Sequence, residues 1–246
     1  MVAGVAVAIA VAGTVALRAA GRTRAARKVI STENMTYTIV QDTTKVGTER
    51  VLKTTYSDNV VDYKGAIATH LSPVVTVEQS TDLQLGDDSY FPIHYRTHKK
   101  TTARGHTVEQ TTELEMFANV GVLTEQLAPG KTVTHNVVMP SGTAVLETGV
   151  IHHLYEIVHG YNDDSGGRQA FDIIDFPSGK LGQGVLYFAG DDTLSVMGHK
   201  EPVREYHFDR SSYSQKFYVD AQGRIVAADF GYMRYELTAY KSTSSE

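Results

Sequence analysis

From about residue 31 onward, apolar and polar residues alternate with a period of two. Met35, Tyr37 and Ile39 alternate with Thr36 and Thr38. Val108, Gln110, Thr112, Leu114 and Met116 alternate with Glu109, Thr111, Glu113 and Glu115. Met233, Tyr235, Leu237 and Ala239 alternate with Tyr232, Arg234, Glu236 and Thr238. Successive side chains of a strand point to opposite faces, so each run describes a strand with one face on a core and the other in water. Turn signals separate the runs at Lys45-Val46-Gly47, Ser57-Asp58-Asn59, Ala128-Pro129-Gly130, Asp163-Asp164-Ser165-Gly166-Gly167 and Asp220-Ala221-Gln222-Gly223. The pattern yields about a dozen strands with mostly short connections, which favours antiparallel neighbours over crossover units.

One segment breaks the alternation. Leu146 to Tyr161 reads LETGVIHHLYEIVHGY, with Val150/Ile151, Leu154, Ile157/Val158 and Tyr161 at helical spacing. Pro140 and Ser141 precede it, and Gly160 suits the left-handed residue that ends a helix. This predicts one amphipathic helix near 145–159, with its His and Glu residues mainly off the apolar stripe. The expected fold is mainly β, a large curved antiparallel sheet or incomplete β-barrel with one mid-chain helix. The expected organisation is an N-terminal membrane segment with a basic linker over 1–30, a single antiparallel β domain over 31–241, and a frayed polar tail over 242–246.

Met1 to Leu17 reads MVAGVAVAIAVAGTVAL, free of charged side chains. As a helix it would span roughly 25 Å, a little short of a hydrocarbon core of about 30 Å. Arg18, Arg22, Arg24, Arg27 and Lys28 follow it, and residues 1–28 hold no acid. A signal peptide carries its positive charge before the apolar core rather than after it. A membrane anchor with basic residues at its end is the second reading, and by the positive-inside rule it would keep the body in the cytoplasm. A third places the true start upstream. A buried Ala/Val helix is the bland alternative, and it lacks a polar face to turn to water. Export to the cell envelope, periplasmic or extracellular, is the favoured reading, with the membrane as one partner through this segment.

Removing those five basic residues from the 23 in the chain leaves 18 against 28 acidic residues, so the body carries −10. An acidic body is a poor ligand for phosphate, which argues against nucleic acid. The basic stretch lies next to the apolar run, where anionic lipid headgroups would attract it. Cysteine is absent, which excludes disulfides, thiolate catalysis and Cys-ligated metals. There is no Trp but there are 14 Tyr, a composition that fits strands, where Tyr packs one ring face and keeps its hydroxyl wet.

Motifs for chemistry are sparse. Glu156-x-x-His159 matches half of a di-iron pair, but such sites draw on four helices. A single metal on His153, Glu156 and a strand residue competes with a simpler reading, in which His152, His153, Glu156 and His159 form a solvated polar face. The pairs Asp87-Asp88, Asp163-Asp164 and Asp191-Asp192 sit in turn-like sequence and lack the alternate spacing of a calcium loop. His-Glu-x-x-His, Gly-x-Ser-x-Gly and phosphate-binding glycine loops are missing. No cofactor is implied.

Three stretches carry a family likeness. Tyr37-x-Ile39 with Val46-Gly47-x-Glu49 forms an opening hairpin, Pro140-Ser141-Gly142 precedes the mid-chain helix, and Phe217-Tyr218-Val219-Asp220-x-x-Gly223-Arg224-Ile225 with Tyr235-Glu236-Leu237 closes the chain. In these the body, over about residues 33–241, resembles exported proteins of the LolA/LolB kind and related envelope families. That resemblance implies an incomplete barrel closed by helix around an apolar, lipid-holding interior. The chain departs from those carriers in lacking the cysteine that is lipidated in LolB. The function expected is non-catalytic binding of a lipid or other hydrophobic small molecule. The helix residues Val150, Ile151, Leu154 and Val158, with Tyr37, Leu114, Met116 and Tyr235 from the sheet, would line the site, and His152, His153 and Glu156 would lie nearer its rim. The alternatives are a hydrolase or isomerase using Asp, Glu or His in the same cavity, and a structural or partner-binding envelope module.

Overall fold

The computed structural model describes residues 27–86, 91–117, 119–128, 130–211 and 213–244. The expected apolar segment over Met1–Leu17 lies outside the described residues, and no helix among the described residues is long and apolar enough to cross a membrane.

Among the described residues, fifteen strands form one sheet. The first eight are β1 (Val29–Gln41), β2 (Thr44–Tyr56), β3 (Val61–Ser72), β4 (Val75–Gly86), β5 (Phe91–Ala103), β6 (His106–Phe117), β7 (Val120–Ala128) and β8 (Lys131–Val138). The short β9 (Ala144–Glu147) is followed by a 3-10 turn, Ile151–His153, and by the helix α1 (Leu154–Gly160). Then come β10 (Arg168–Phe176), β11 (Lys180–Val196), β12 (His199–Arg210), β13 (Ser214–Asp220), β14 (Ile225–Asp229) and β15 (Arg234–Ser244). The order across the sheet is β8-β7-β6-β5-β4-β3-β2-β1-β15-β14-β13-β12-β11-β10-β9. Each half is an antiparallel meander, and the two halves meet where β1 pairs with β15. The exception is β9, which runs parallel to β10. A parallel pair needs a crossover, and α1 supplies it.

The alternation seen in the sequence sets which face is inside. Tyr63, Leu83, Tyr95, Leu114 and Leu123 are direct partners across β3 to β7 and are all fully buried. In the other half, Ile39, Tyr235, Ala228, Phe217 and Tyr206 form a matching row across β1, β15, β14, β13 and β12. These rows belong to a single apolar cluster that also includes β9 and α1. Burying a large apolar side chain contributes about 1.5–3 kcal/mol, so two such rows hold the sheet curved around its own concave face.

The sheet rolls until its β9–β10 end rests on the inner face of the opposite half. The Tyr95 ring meets Phe176 edge-on at 4.6 Å between centroids. At the β10–β11 turn, a Cβ placed on Gly179, which has φ +67, would lie 2.6 Å from Leu123 Cδ2, so glycine permits that approach without moving the leucine. The two end strands, β8 and β9, are not hydrogen-bonded to each other. The result is a barrel-like rolled sheet, with more strands than the dozen or so expected.

Several sequence expectations are corrected. The helix does not start near 145: Ala144–Glu147 is a strand, and Gly149, at φ +81, turns the chain before the 3-10 turn begins. The first hairpin turns at Asp42-Thr43, with Asp42 at φ 53, and not at Lys45-Val46-Gly47. Gly47 is inside β2, where a Cβ would lie 2.3 Å from the Ala68 carbonyl oxygen. β15 continues to Ser244, paired with Ser31, so residues 242–244 are not a frayed stub. At the other end, the backbone N–H of Ser57 donates to the Lys28 carbonyl and Arg27 pairs with Asp58 at 2.8 Å. The last residues of the expected linker are thus tied to the sheet.

Candidate functional site

Residues 150–157, between β9 and β10, are buried within the rolled sheet whereas His159 and Gly160 are exposed, and this decides the fate of the polar residues. His152 and His153 are fully buried and Glu156 is 5% exposed. The expectation of a solvated polar face, with these three near a rim, is therefore corrected for His152 and His153. Where a helix faces protein rather than water, its polar groups must find partners or stay unpaired.

His152 finds Glu49 of β2. Its Nδ1 lies 3.1 Å from Glu49 Oε1, and its Nε2 lies 3.3 Å from Thr81 Oγ1. The other Glu49 oxygen accepts the backbone N–H of Ile151 at 3.2 Å. The ring has room because β3 carries Gly65 there: a Cβ would sit 2.3 Å from Thr81 Oγ1 and 2.8 Å from His152 Cε1. Tyr63 stacks on His152 at 5.9 Å and on Tyr155 at 5.5 Å.

His153 accepts the backbone N–H of Glu147 on Nδ1 at 3.0 Å, which leaves its buried Nε2 to carry the proton of the neutral ring, without a hydrogen-bond partner. Burial, with His152 adjacent, holds its pKa well below the usual value. Glu147 accepts from Gln79 at 2.8 Å and from the Tyr95 hydroxyl at 2.5 Å. Burial raises the Glu147 pKa, and these two hydrogen bonds oppose the shift. Tyr235 donates to the Gly149 carbonyl at 2.7 Å, and Tyr155 accepts the N–H of Ile225 at 3.1 Å. The crossover is thus bonded to β2, β4, β5, β14 and β15. This network is enclosed and largely satisfied, which suits a structural lock better than a reaction centre.

Glu156 is different. One carboxyl oxygen accepts the backbone N–H of Val145 at 3.0 Å, and the other has no hydrogen-bond partner. Burial pushes its pKa well above the ordinary carboxyl value. It forms part of the wall of an open pocket of about 320 Å³ between α1, β10 and the β8–β9 loop. Phe91, Phe171 and Asp172 form other walls, and Ser141 and Thr143 come from the loop. A larger depression of about 480 Å³ lies between the β1–β2 and β3–β4 turns, near Asp42 and His70. It is formed by hairpin tips and holds no buried polar atom without a partner.

The residues expected to hold a lipid are brought together, but as packing. Val150, Ile151, Leu154, Tyr37, Leu114 and Tyr235 are buried in the common core, with Met116 and Val158 packed partly buried against it. None of the eight lines either of these two pockets. The metal considered on His153 and Glu156 finds no cluster there. Among the described residues, the group of three ligating side chains is His94, Glu113 and Glu115, on paired strands. His94 Nδ1 lies 2.7 Å from Glu115 and 3.9 Å from Glu113, an ordinary cross-strand arrangement. Glu49, which in the sequence marks only the opening hairpin, and Gly65 are not legible there as parts of this network. The available signals were an acid in the same alternation as Val51 and a glycine inside the run Val61, Tyr63, Ile67.

No family model and no curated protein matches this chain. Among solved structures it is similar to a beta-barrel-like protein of the domain of unknown function DUF1849 from Brucella abortus. The TM-score is 0.61 at 13% identity, covering 89% of this chain and 100% of that one. At that identity the likeness is one of fold, and it agrees with the rolled sheet: the chain is a β-barrel-like protein.

Proposed function

We propose that this chain is a non-catalytic, membrane-tethered or exported protein of the cell envelope that binds a small, largely apolar ligand with one polar end. The observation that carries this reading is Glu156, a buried carboxyl with one unpartnered oxygen on the wall of an open pocket. Leaving such a group unpaired costs about 1–3 kcal/mol, and a ligand that bonds to it recovers that cost. The rings of Phe91 and Phe171, with Ala144 and Ala170, offer the apolar contact. The volume falls at the small end of ligand pockets, which run from about 300 to 1,000 Å³. A long acyl chain would reach the interior only by displacing α1, so the LolA/LolB resemblance supports the apolar character of the ligand more than its length. The envelope address rests on the apolar run Met1–Leu17 and the basic residues after it. Against the enzyme alternative, the His152–Glu49 pair is fully buried and engaged in holding the crossover.

The test is native mass spectrometry of the full chain purified from its own cell. The expected result is a non-covalent adduct in the wild type that disappears in Ala170→Trp, which fills the pocket from the exposed side of β10. A wild-type protein free of adduct, or an adduct indifferent to that substitution, overturns the proposal.

A further inference from the structure

We infer that the pocket beside α1 receives an organic ammonium group, an assignment that rests on the ligand-binding reading above and names its ligand class. Apart from the Ser141 hydroxyl, the polar side chains around the pocket offer acceptors. Glu156, with one unpartnered oxygen, forms part of the wall, and Asp172 of β10 brings a second carboxyl group, one oxygen of which accepts from Gln183 Nε2 at 2.9 Å. Thr143 already spends its one hydroxyl proton on the Pro140 carbonyl at 2.7 Å, so it can only accept. Among the described lining residues there is no Lys, Arg or His. An ammonium has donors and no acceptor, and it is the complement of such a wall. An anion would meet two carboxyl groups with no counter-charge. Phe91 and Phe171 add two aromatic rings, whose faces attract cations. Gly160 keeps Phe171 where it is, since a Cβ there would lie 2.7 Å from the ring.

Burial raises the Glu156 pKa, and an ammonium beside the carboxyl would oppose that shift by favouring the charged form. The ammonium can be carried by a free amine or by an aminolipid headgroup, and either presents the same donors.

The probe is 2-phenylethylammonium, titrated against the full chain by calorimetry and by NMR of the Ala144, Ala170 and Phe171 amides. The controls are 2-phenylethanol and phenylacetate, of similar shape but neutral and anionic. The ammonium is expected to bind at least tenfold more tightly than the alcohol, and phenylacetate not at all. Glu156→Gln, nearly isosteric, should weaken the ammonium at least tenfold and leave the alcohol unchanged. Asp172→Asn, at the rim, should act in the same direction if Glu156→Gln fails to fold. In a second arm, vesicles of phosphatidylethanolamine with phosphatidylglycerol are compared with phosphatidylglycerol alone. Amide protection that needs the aminolipid identifies a headgroup, and binding of the free ammonium alone identifies a soluble amine. Equal affinity for ammonium and alcohol, or an ammonium affinity unmoved by the substitution, overturns the cation assignment and leaves the pocket intact as a ligand site. If no probe and no vesicle moves these amides, the ligand-binding reading fails with it.

Discussion

His152 Nδ1 stands 3.1 Å from Glu49 Oε1, and both side chains are fully buried. This contact joins the second strand of the chain to the crossover about a hundred residues later, and the same carboxylate holds the N–H of Ile151. Removing a buried polar partner leaves the other side uncompensated. Glu49→Leu should therefore cost about 1–3 kcal/mol per group left unpaired, read as a lowered urea midpoint with unchanged slope. A midpoint equal to that of the wild type would mean that the crossover does not depend on this lock.

Gly65 and His152 make the converse test. A methyl group on Gly65 would fall 2.3 Å from Thr81 Oγ1 and 2.8 Å from the imidazole. Overpacking of this kind costs about 1–3 kcal/mol. Gly65→Ala should lower thermal stability, and His152→Ala in the same chain should restore part of the loss by vacating the space. Strict additivity of the two substitutions would show that they do not meet.

Tyr235 binds the crossover from β15. Tyr235→Phe removes the hydroxyl that satisfies the Gly149 carbonyl, and it should cost about 1–3 kcal/mol. Hydrogen exchange should locate the effect, with faster exchange from Val150 to Leu154 and little change in β4 and β5. Uniform acceleration across the sheet would assign the tyrosine to global packing.

The core register is tested by Leu114→Ala and Leu237→Ala, each removing a buried side chain. Each should cost about 2–5 kcal/mol, against a negligible shift for the exposed Glu109→Ala. Comparable shifts for all three would put the inward face on the wrong residues.

Glu156 makes stability depend on pH with a determinable sign. Its folded pKa lies above the ordinary value of 4.5 because burial disfavours the charge. Below 4.5 both states bind the proton and its contribution is fully present; as pH rises through the folded value, that stability is lost. His153 works in the opposite sense: its contribution is complete above 6.5 and is lost as pH falls toward its lowered folded value. Glu156→Gln removes only the first effect. The stability difference between variant and wild type should move in favour of the variant as pH rises from 4.5, by at most about 1.4 kcal/mol per pH unit. A difference flat between pH 4 and 8 would mean that Glu156 ionises normally.

The inward face was legible in the sequence because a period of two assigns every second side chain of a strand to one side. Tyr37, Ile39, Leu114, Phe217, Tyr235 and Leu237 accordingly lie in the core. The helix was legible as a helix but not in its surroundings. Its polar residues were read as facing water, since one helical stripe cannot reveal what covers the opposite face. Whether His152 and His153 are buried depends on how far the sheet rolls, a property of fifteen strands together. Glu49 was hidden for the same reason: its inward position is local, whereas its partner is distant in the chain. The turn at Asp42-Thr43 lacked glycine and proline, so it was less visible than the glycine a few positions later.

The pairing of β1 with β15 sets the order in which the sheet can be completed. A growing polypeptide can zip β1 through β8 as local hairpins, and later β10 through β15, but the seam between the halves waits for the last strand. Until then β1 presents a bare row of backbone donors and acceptors, an open template for any extended segment nearby. The same geometry suits rearrangement of the gene: a chain opened in the β7–β8 turn, with the end of β15 joined to the start of β1 by a short linker, would turn the slowest, most distant contact into a neighbouring one and should fold faster.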